Sequence, residues 1–579
     1  MTRTIAGLLL VGVTVLSSVC TGHAQLPGLD PTLRSGDRPQ LLRDDRQQAP
    51  GEVLPPIVPP PLEVPQPPFS RQRVLVREIR VIGSTVFTKA QLAKVTAPYV
   101  NRELSAEDLE SLRRELTLLY VNRGYVNSGA LLPDQKVTDG VVIYDIIEGR
   151  LSGVDVHGNR WFRSGYFRDR LSLAGRTPLD VNALQREIQI LLEDPRIQRL
   201  GAEVKPGVRP GEALLDLTVE EQFPLKISFD VNNYQTPSVG AERGIVTLEH
   251  QNLTGNGDIL TLRYGKSEGL DPLLDFRYAI PVTPVDTTLS FEYRRNTFAV
   301  LEEPFAELEI ESKSEIFTLA VRQPLYRTPT TELAVELMGE RLSQTTTLLG
   351  EPFTLTPGAQ NGEAVVTALR AALEFVHRRQ NQIIAARSRF SVGIDALGST
   401  IHENGLPDSR FFSWLGQFQL VRRLGVSDIP QIADSQLILR SDVQLADDSL
   451  LVLEQMAVGG RYSVRGYREN TLVRDNAVIA SLEGRIPIVQ NQPWADYVQI
   501  APFFDYGRAW QSKGRTDEPR YLMSVGVGLR WALTVRTAVP VRPSFEVYWG
   551  HQLRDVPNSA DGDNLQDHGV HFQFVLSVF

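Results

Sequence analysis

Residues Thr288–Arg294 read TLSFEYR, a stretch in which polar and apolar side chains strictly alternate. Its leucine, phenylalanine and tyrosine fall on one face of an extended chain, and its glutamate and arginine fall on the other. Residues Thr331–Met338 (TELAVELM) repeat the pattern, with two glutamates opposite the leucines and the valine. Such alternation is typical of a β-strand with one apolar and one wet face. We predict that residues 223–579, where helical periodicity disappears, form β-sheet.

Two kinds of antiparallel sheet fit this alternation. One is a soluble sandwich or propeller with a single buried face, and the other is a transmembrane β-barrel with a lipid-facing exterior. The charged residues opposite the apolar face favour the barrel, because a barrel lumen is wet. Sixteen tilted strands of about ten residues would use about 160 residues and leave about a dozen for each connection. We predict about sixteen strands, and fourteen or eighteen satisfy the same arithmetic.

The composition of the whole chain excludes several other classes of protein. Of the 579 residues, 42% are hydrophobic and 22% are charged, which is typical of folded domains rather than of disorder. The single cysteine excludes a disulfide scaffold, and the net charge of −9 argues against a nucleic-acid-binding protein. Runs of 18 or more apolar residues do not occur in the sequence, which excludes a bundle of membrane-spanning helices.

Residues 1–24 have the pattern of a secretory signal peptide. Arg3 precedes the apolar stretch Ile5–Val15, and a small-residue cleavage site follows it. A membrane anchor or a lipoprotein modified at Cys20 is the alternative, but the apolar run is short and Val19 stands where a small residue is expected. Cleavage would also remove Cys20, leaving a mature chain without cysteine.

Residues 25–72 separate the signal peptide from the first folded unit. Residues 25–49 are polar and weakly patterned, and the stretch Pro50–Phe69 contains nine prolines. A run so rich in proline adopts extended polyproline II and acts as a semi-rigid spacer. We therefore predict a polar segment followed by a proline-rich linker.

Residues 73–150 and 151–222 read as two copies of one α/β unit, with the order β-α-α-β-β. The first copy has a strand at Val74–Val81, helices that begin after Thr88 and Ser105, and two closing strands at 130–132 and 141–147. In the second copy Val154–Phe162 aligns with Ile79–Phe87. A helix then begins after Asp180, and strands follow near 202–206 and 213–220. A repeat of this length is one unit used in series, and chance similarity of two amphipathic segments is the alternative.

The repeated unit resembles the polypeptide-transport-associated (POTRA) domain, which has a Gly-Asn-x-x-Phe-like turn after its first strand. The matching residues are Gly158, Asn159 and Phe162 in the second copy and Gly83 and Phe87 in the first, where a serine replaces the asparagine. The resemblance implies two periplasmic domains with exposed strand edges. An exposed edge can pair with an extended client chain with little sequence preference.

Residues Glu454–Tyr467 read EQMAVGGRYSVRGY, a string that closely resembles the two-partner secretion transporters of the haemolysin secretion/activation family. In that family a Val-Arg-Gly-Tyr element lies at the tip of a loop folded into a barrel, and its arginine pairs with the aspartate of a Phe-x-Asp strand motif. The resemblance therefore implies a lock between loop and barrel formed by Arg465, Gly466, Tyr467, Phe503 and Asp505. An arginine inside a barrel needs such a carboxylate partner, because an uncompensated buried charge is costly. Asp505 facing lumen water and Arg465 on an exposed loop are the alternative.

Three further segments extend this resemblance along the chain. Residues 25–49 occupy the position of the family's plug helix. Asn252–Asp258 looks like the first hairpin turn of the barrel, with Asn-Gly-Asp supplying positive φ. The aromatic closing strand includes Phe574, Leu576 and Phe579, which implies recognition by the machinery that inserts barrels into the outer membrane.

Signatures of catalysis are missing from the sequence. It contains neither a Gly-x-Ser-x-Gly elbow nor a His-Glu-x-x-His motif. Gly265-Lys266-Ser267 imitates the end of a phosphate-binding loop, but Leu260 stands where the first glycine belongs. We therefore expect no enzymatic activity, no cofactor and no metal.

We predict an outer-membrane pore that recognises an unfolded partner exoprotein in the periplasm and translocates it to the cell surface. The resemblance implies a client of the haemolysin, haemagglutinin or adhesin type and contact with outer-membrane lipid. The alternatives are an insertase that assembles outer-membrane proteins and a passive porin. Two periplasmic units favour export over assembly, because assembly proteins of the wider superfamily usually carry more.

Overall fold

A computed structural model describes residues 73–175, 177–303, 305–425, 434–514, 516–537, 539–556 and 564–579. The predicted signal peptide, polar segment and proline-rich linker lie outside the described residues. Within the described ranges, no helix is long and apolar enough to span a membrane.

The first unit contains a three-stranded sheet, a two-stranded sheet and two helices. Its elements are β1 (Val74–Val76), β2 (Glu78–Ile82), α1 (Lys89–Thr96), β3 (Arg102–Leu104), α2 (Ala106–Val121), β4 (Gly129–Leu131) and β5 (Val141–Ile147). The strand predicted at Val74–Val81 is wrong as a single element. The backbone N–H groups of Arg77 and Glu78 both donate to Gly140 O, at 2.8 and 3.2 Å. The chain bends there, so that β1 pairs with β3 while β2 runs parallel to β5.

Both helices of the first unit begin at the predicted capping residues. Thr88 Oγ1 accepts a hydrogen bond from Gln91 N (3.3 Å), and the Gln91 side chain accepts one from Thr88 N (3.0 Å). Ser105 and Asp108 form the same reciprocal pair, at 3.2 and 2.8 Å. Each box satisfies backbone donors that a helix leaves free at its first turn.

The second unit has the predicted order β-α-α-β-β. Its elements are β6 (Arg150–His157), α3 (Ser164–Ala174), α4 (Val181–Leu192), β7 (Ile197–Pro206) and β8 (Glu212–Glu221). The sheet order β6-β8-β7 matches the order β2-β5-β4 of the first unit, because in both the first strand runs parallel to the last. Helices α3 and α4 cover one face of the sheet, and Leu171, Leu184, Leu215 and Leu217 are fully buried between them.

The rest of the chain closes into an antiparallel barrel of sixteen strands, which confirms the predicted fold class. Strand β16 is a short ribbon on β15, and β21 and β22 form a separate hairpin. The elements are β9 (Leu225–Asn232), β10 (Arg243–His250), β11 (Ile259–Ser267), β12 (Leu270–Pro281), β13 (Thr288–Ala299), β14 (Glu311–Arg327), β15 (Thr331–Leu348), β16 (Glu351–Pro352), β17 (Glu363–Arg379), β18 (Gln382–Ile394), β19 (Phe412–Arg423), β20 (Gln436–Ala446), β21 (Met456–Val458), β22 (Leu472–Arg474), β23 (Asn476–Gln492), β24 (Ala495–Trp510), β25 (Tyr521–Ala532), β26 (Val541–Gln552) and β27 (Val570–Val578).

The two faces of the barrel wall have the composition that the alternation predicts. On β13, Leu289 and Phe291 are each 40% exposed on the outer surface. The alternate residue Arg294 faces the interior, where its Nε lies 3.4 Å from Asp275 Oδ2 of the neighbouring strand β12. An apolar exterior around a charged interior suits a barrel with lipid outside and water inside.

The turn at Asn252–Asp258 connects β10 to β11, so it is the second connection of the barrel and not the first as predicted. Positive φ is supplied by Gly255 (85°) and Gly257 (80°). The turn contacts the second unit: Arg163 N donates to Gly255 O (2.9 Å), and Arg196 Nη1 donates to Gly257 O (2.8 Å). The turn therefore docks the barrel against the α/β unit.

A second contact between the same two bodies is ionic. Asp286, in the turn between β12 and β13, pairs with Arg170 of α3 and with Arg327 at the end of β14. The Arg170 guanidinium also stacks 3.7 Å from the centre of the Tyr166 ring. We call the contacts of Arg170, Asp286 and Arg327 the joint.

Candidate functional site

The connection between β20 and β23, residues 447–475, folds back into the barrel, and we call it the lumen loop. Its residues Val458, Val464, Tyr467 and Leu472 are buried in one apolar cluster. The cluster includes wall residues of three barrel strands, namely Ala477, Ile479, Ala509 and Leu522. The chain therefore packs the loop against the inner wall of the barrel.

The tip of the lumen loop brings Arg465 and Asp505 together. Arg465 Nε donates to Asp505 Oδ2 (2.7 Å), and Arg465 Nη2 donates to Asp505 Oδ1 (2.8 Å). The backbone N–H of Arg465 also donates to Oδ2, at 3.0 Å. The side chains of Arg465 and Asp505 are 3% and 0% exposed, so the bidentate pair is fully enclosed. A fork-to-fork pair fixes orientation as well as distance.

Two wall strands supply further groups to the Arg465 guanidinium. Nη1 pairs with the Glu483 carboxylate, and Nη2 donates to Ser481 Oγ at 3.1 Å, both on β23. Phe503 on β24 lies beneath the guanidinium, with its ring centre 3.6 Å from the Arg465 Cζ. Phe503 therefore contributes a cation–π contact to the site. Its neighbour Phe504 is 41% exposed on the outer surface, as strand alternation requires.

Gly466 and Tyr467 fix the backbone beside the arginine. Gly466 has φ +90°, and a Cβ at this position would lie 2.7 Å from Gly550 O on β26. Both the conformation and the close approach therefore require glycine. The Tyr467 hydroxyl lies 2.7 Å from Arg554 O and 2.9 Å from Met523 O. It therefore contacts the backbone of β25 and of the residues that follow β26.

Sequence reasoning missed several partners of the lumen loop. Arg461 pairs with Glu546 on β26 (2.8 Å), and Glu454 pairs with Arg370 on β17 (2.8 Å). Glu483 was also missed, although it lies on the lumen-facing side of a strand, where a carboxylate is a candidate partner for any inward arginine. Glu454 and Arg461 both belong to the string Glu454–Tyr467, so the signal for them was their charge within an otherwise apolar and glycine-rich segment.

The predicted turn residues occupy equivalent places in the two α/β units. Gly83 has φ +84° and Gly158 has φ +81°, and an added Cβ would lie 2.5 Å from Ile146 O and 2.6 Å from Val219 O. Phe87 and Phe162 are buried in the cores of their own units. Asn159 Nδ2 donates to Phe162 O at 2.7 Å, which closes the turn in the second unit.

A glutamate that sequence reasoning missed holds each of these turns. Glu148 accepts hydrogen bonds from Thr85 N (2.6 Å) and Val86 N (3.1 Å), and Glu221 accepts one from Trp161 N (2.6 Å). Burial acts to raise the pKa of the Glu148 carboxyl, but the hydrogen bonds from Thr85 and Val86 outweigh it, and the pKa falls below its ordinary value. Each glutamate directly follows the strand β5 or ends the strand β8, so its position alone is the sequence signal.

The closing strand β27 pairs with β26 on one side and with β9 on the other. Phe574 is exposed on the outer surface, and Leu576 pairs with Phe229 of β9. Phe579 lies one residue beyond the strand, and its N–H donates to Pro540 O at 3.1 Å. The Lys226 ammonium lies 5.6 Å from the centre of the Phe579 ring.

Two protein families match the described architecture. The family of haemolysin secretion/activation proteins ShlB/FhaC/HecB matches residues 211–531, and the POTRA domain of ShlB type matches residues 74–149. The first match covers the whole of β8, most of the barrel and the whole lumen loop. The second match covers the first α/β unit.

Individual relatives agree with these families. The outer membrane transporter CdiB of Dickeya dadantii is 24% identical over 407 residues, which cover 68% of this chain and 69% of that protein. The solved structure of CdiB from Escherichia coli has a TM-score of 0.63 at 20% identity, and covers 90% of this chain and 93% of that one. BamA from Haemophilus ducreyi, crystallised without POTRA domains 1–3, has a TM-score of 0.50 at 13% identity and covers 87% of this chain and 99% of that one.

Proposed function

This chain belongs to the family of haemolysin secretion/activation proteins ShlB/FhaC/HecB, and on that premise we propose how its own residues carry out export. It is an outer-membrane transporter that translocates a partner exoprotein, with its barrel in the outer membrane and its POTRA domains in the periplasm. The prediction of a two-partner secretion transporter is therefore confirmed.

The POTRA domains capture the exoprotein while it is unfolded. Each three-stranded sheet ends in two edge strands, β2 and β4 in the first domain and β6 and β7 in the second. An edge strand presents N–H and C=O groups to which an extended chain can add as a further strand. A client of the haemolysin, haemagglutinin or adhesin type supplies such a chain, because its long repetitive sequence stays extended until it folds outside the cell.

The lumen loop closes the barrel while the transporter is at rest. The observation that carries this proposal is the enclosed bidentate pair between Arg465 and Asp505, which ties the loop tip to the inner wall. A client that enters the lumen must displace a segment that occupies it. Arg465 is therefore the residue that sets the resting position of the loop, with Gly466 and Tyr467 fixing the backbone beside it.

The remaining predicted segments fit the same scheme. We infer a signal peptide at 1–24, a plug segment and linker at 25–72, POTRA domains at 73–150 and 151–222, and the transmembrane barrel at 223–579. The closing strand, with Phe574, Leu576 and Phe579, is the feature that the barrel-assembly machinery would read during insertion.

The test is secretion of the exoprotein by the Arg465→Ala variant. Loss of the guanidinium leaves Asp505 and Glu483 enclosed without their partner, so the loop leaves its resting position. We expect secretion into the medium to fall about tenfold, because a loop that is no longer held against the wall has no defined path by which the client displaces it, while insertion into the outer membrane continues. The control is Arg322→Ala, which breaks pairs between wall residues only, with Glu374 (2.8 Å) and with Glu332. Normal secretion by Arg465→Ala would contradict the proposed role of the loop.

A further inference from the structure

The base of the lumen loop carries a second buried ion pair, in which Arg465 takes no part. Glu454 ends a short 3-10 turn at Val452–Glu454 and is 2% exposed. Arg370 Nη2 donates to Glu454 Oε1 (2.8 Å), and Arg370 Nη1 donates to Glu454 Oε2 (3.2 Å). Arg370 lies on β17, so this pair joins the loop to the wall in the same bidentate manner as the pair at the tip.

The barrel wall holds Arg370 in place from both sides. Arg370 Nε donates to Glu340 Oε2 on β15 (2.8 Å), and Arg370 Nη1 donates to Ser391 Oγ on β18 (2.8 Å). Every nitrogen of the guanidinium therefore has a partner, and the side chain spans three neighbouring strands. A guanidinium fixed in this way is already oriented before the loop docks on it, so that little side-chain freedom is lost in docking.

An apolar patch of the inner wall surrounds this ion pair. The loop residues Leu450, Leu451 and Leu453 are each 1% exposed. They pack on lumen-facing wall residues that are apolar where the rest of the lumen is largely polar, namely Ile316, Leu342, Ala364, Val366 and Ala368. Apolar side chains on the wet side of a barrel wall are stable only when something covers them. The loop base therefore covers an apolar patch that would otherwise face the wet lumen.

The two anchored parts of the loop are fastened to different parts of the wall. In the closed ring of sixteen strands, β17, which carries Arg370, and β24, which carries Asp505, are five steps apart. The tip also reaches β26 through the close approach of Gly466 to Gly550. The loop is therefore held at two separate places on the barrel wall.

We propose that Arg370 and Glu454 form a second anchor of the lumen loop, and that the lumen clears only when this anchor and the Arg465–Asp505 lock have both opened. Arg370 and Glu454 are positioning residues, because they act through the place of the loop. The inference rests on the proposed function, since it concerns the same loop. Opening the tip alone would leave the base on its patch and the lumen still obstructed.

The test measures single-channel openings of the purified full chain in planar bilayers, without an exoprotein. The variants are Glu454→Gln, Arg465→Ala and the double variant. If each anchor holds the loop independently, the free-energy effects add and the opening frequencies multiply. We expect about a tenfold increase for each single variant and about a hundredfold increase for the double variant, at 1.4 kcal/mol for each factor of ten. The control Arg322→Ala keeps the native frequency.

Arg370→Lys separates the geometry of the anchor from its charge. Lysine keeps the positive charge beside Glu340 and Glu454 but cannot form the bidentate pair. We expect the opening frequency of Arg370→Lys to lie between that of the native chain and that of Glu454→Gln. Because a buried substitution can block insertion, each variant is first checked for the heat-dependent gel mobility of a folded barrel. If Glu454→Gln fails this check, Arg370→Lys decides the question.

Two results would contradict the proposal that Arg370 and Glu454 form a second anchor. One is a native opening frequency for the inserted Glu454→Gln or Arg370→Lys variant. The other is a double variant that opens no more often than Arg465→Ala. The bilayer measurement contains no client, so it does not test the proposed function. The proposed function is contradicted by a different result, namely a native chain that leaves its exoprotein in the periplasm.

Discussion

The tip of the lumen loop and the joint between the second POTRA domain and the barrel both depend on arginine–carboxylate pairs, but in opposite surroundings. At the tip, Arg465 and Asp505 are 3% and 0% exposed. At the joint, Asp286 is 25% exposed, and its partners Arg327 and Arg170 are 30% and 10% exposed. The same chemical groups therefore form an enclosed lock in one place and a partly hydrated contact in the other.

This difference in exposure predicts a difference in how each contact fails. Removing one partner of a buried pair leaves the other charge without compensation, which costs about 3–5 kcal/mol. Removing one partner of a partly hydrated pair costs less, toward the about 0–1 kcal/mol of a surface pair, because water reaches the charge that remains. We infer that the tip behaves as a switch with two distinct states, whereas the joint allows graded adjustment of the POTRA domain.

The largest expected effect follows from Asp505→Asn at the tip. The substitution keeps the size of the side chain but removes the charge that both Nε and Nη2 of Arg465 contact. We expect single-channel openings to rise at least about tenfold, since a loss within the 3–5 kcal/mol range would exceed that factor. The identical chemical change at Asp286, in the joint, is the matched control. Equal effects of the two variants would refute the contrast between lock and joint.

The sequence predicted the lock better than the rest of the lumen loop. Alternation along β13 and β15 indicated the barrel, and the string Glu454–Tyr467 indicated Arg465 and its partner Asp505. The second anchor was not predictable, because Arg370 lies far away in sequence on a strand that had no motif. Its apolar patch also interrupts the alternation that identifies a wet lumen. Such an interruption does not predict a docking site until the segment that covers it is known.

The first POTRA domain shows the same limit of local sequence patterns. In Val74–Val81 only three charged residues interrupt the apolar ones, and no glycine or proline marks a bend, so the sequence indicates one strand. The division into β1 and β2 depends on hydrogen bonds from Arg77 and Glu78 to Gly140, which is distant in the chain. Local signals such as the capping residues Thr88 and Ser105 were predictable, because their partners lie within three positions.

An intermediate effect is expected from Gly466→Ala, which tests the fit of the tip rather than its charge. The added Cβ would lie 2.7 Å from Gly550 O, and φ is +90°. Strain from a positive φ alone costs about 1–2 kcal/mol. The control is Gly350→Ala, because Gly350 has φ +82° but an added Cβ meets nothing within 4 Å. We expect more frequent channel openings only for Gly466→Ala, and the same frequency in both variants would show that the close approach is unimportant.

The smallest effect is expected from Asp286→Asn in the joint. Asparagine tolerates the positive φ of 59° at this turn, so the substitution removes the charge shared by Arg170 and Arg327 without straining the backbone. We expect secretion to fall by less than about fivefold, since an exposed pair contributes about 0–1 kcal/mol.

A distance measurement separates this small effect from the large one at the tip. Spin labels at Val208→Cys in the second POTRA domain and Gln380→Cys in a barrel turn report the position of the domain, and both native residues are exposed. Asp286→Asn should broaden the distance distribution at low salt and leave it unchanged at high salt, because ions already screen an exposed pair over about 10 Å at 0.1 M. Salt should not change the effect of Asp505→Asn on openings, because that pair is enclosed. If salt altered the two variants equally, exposure would not be what distinguishes lock from joint.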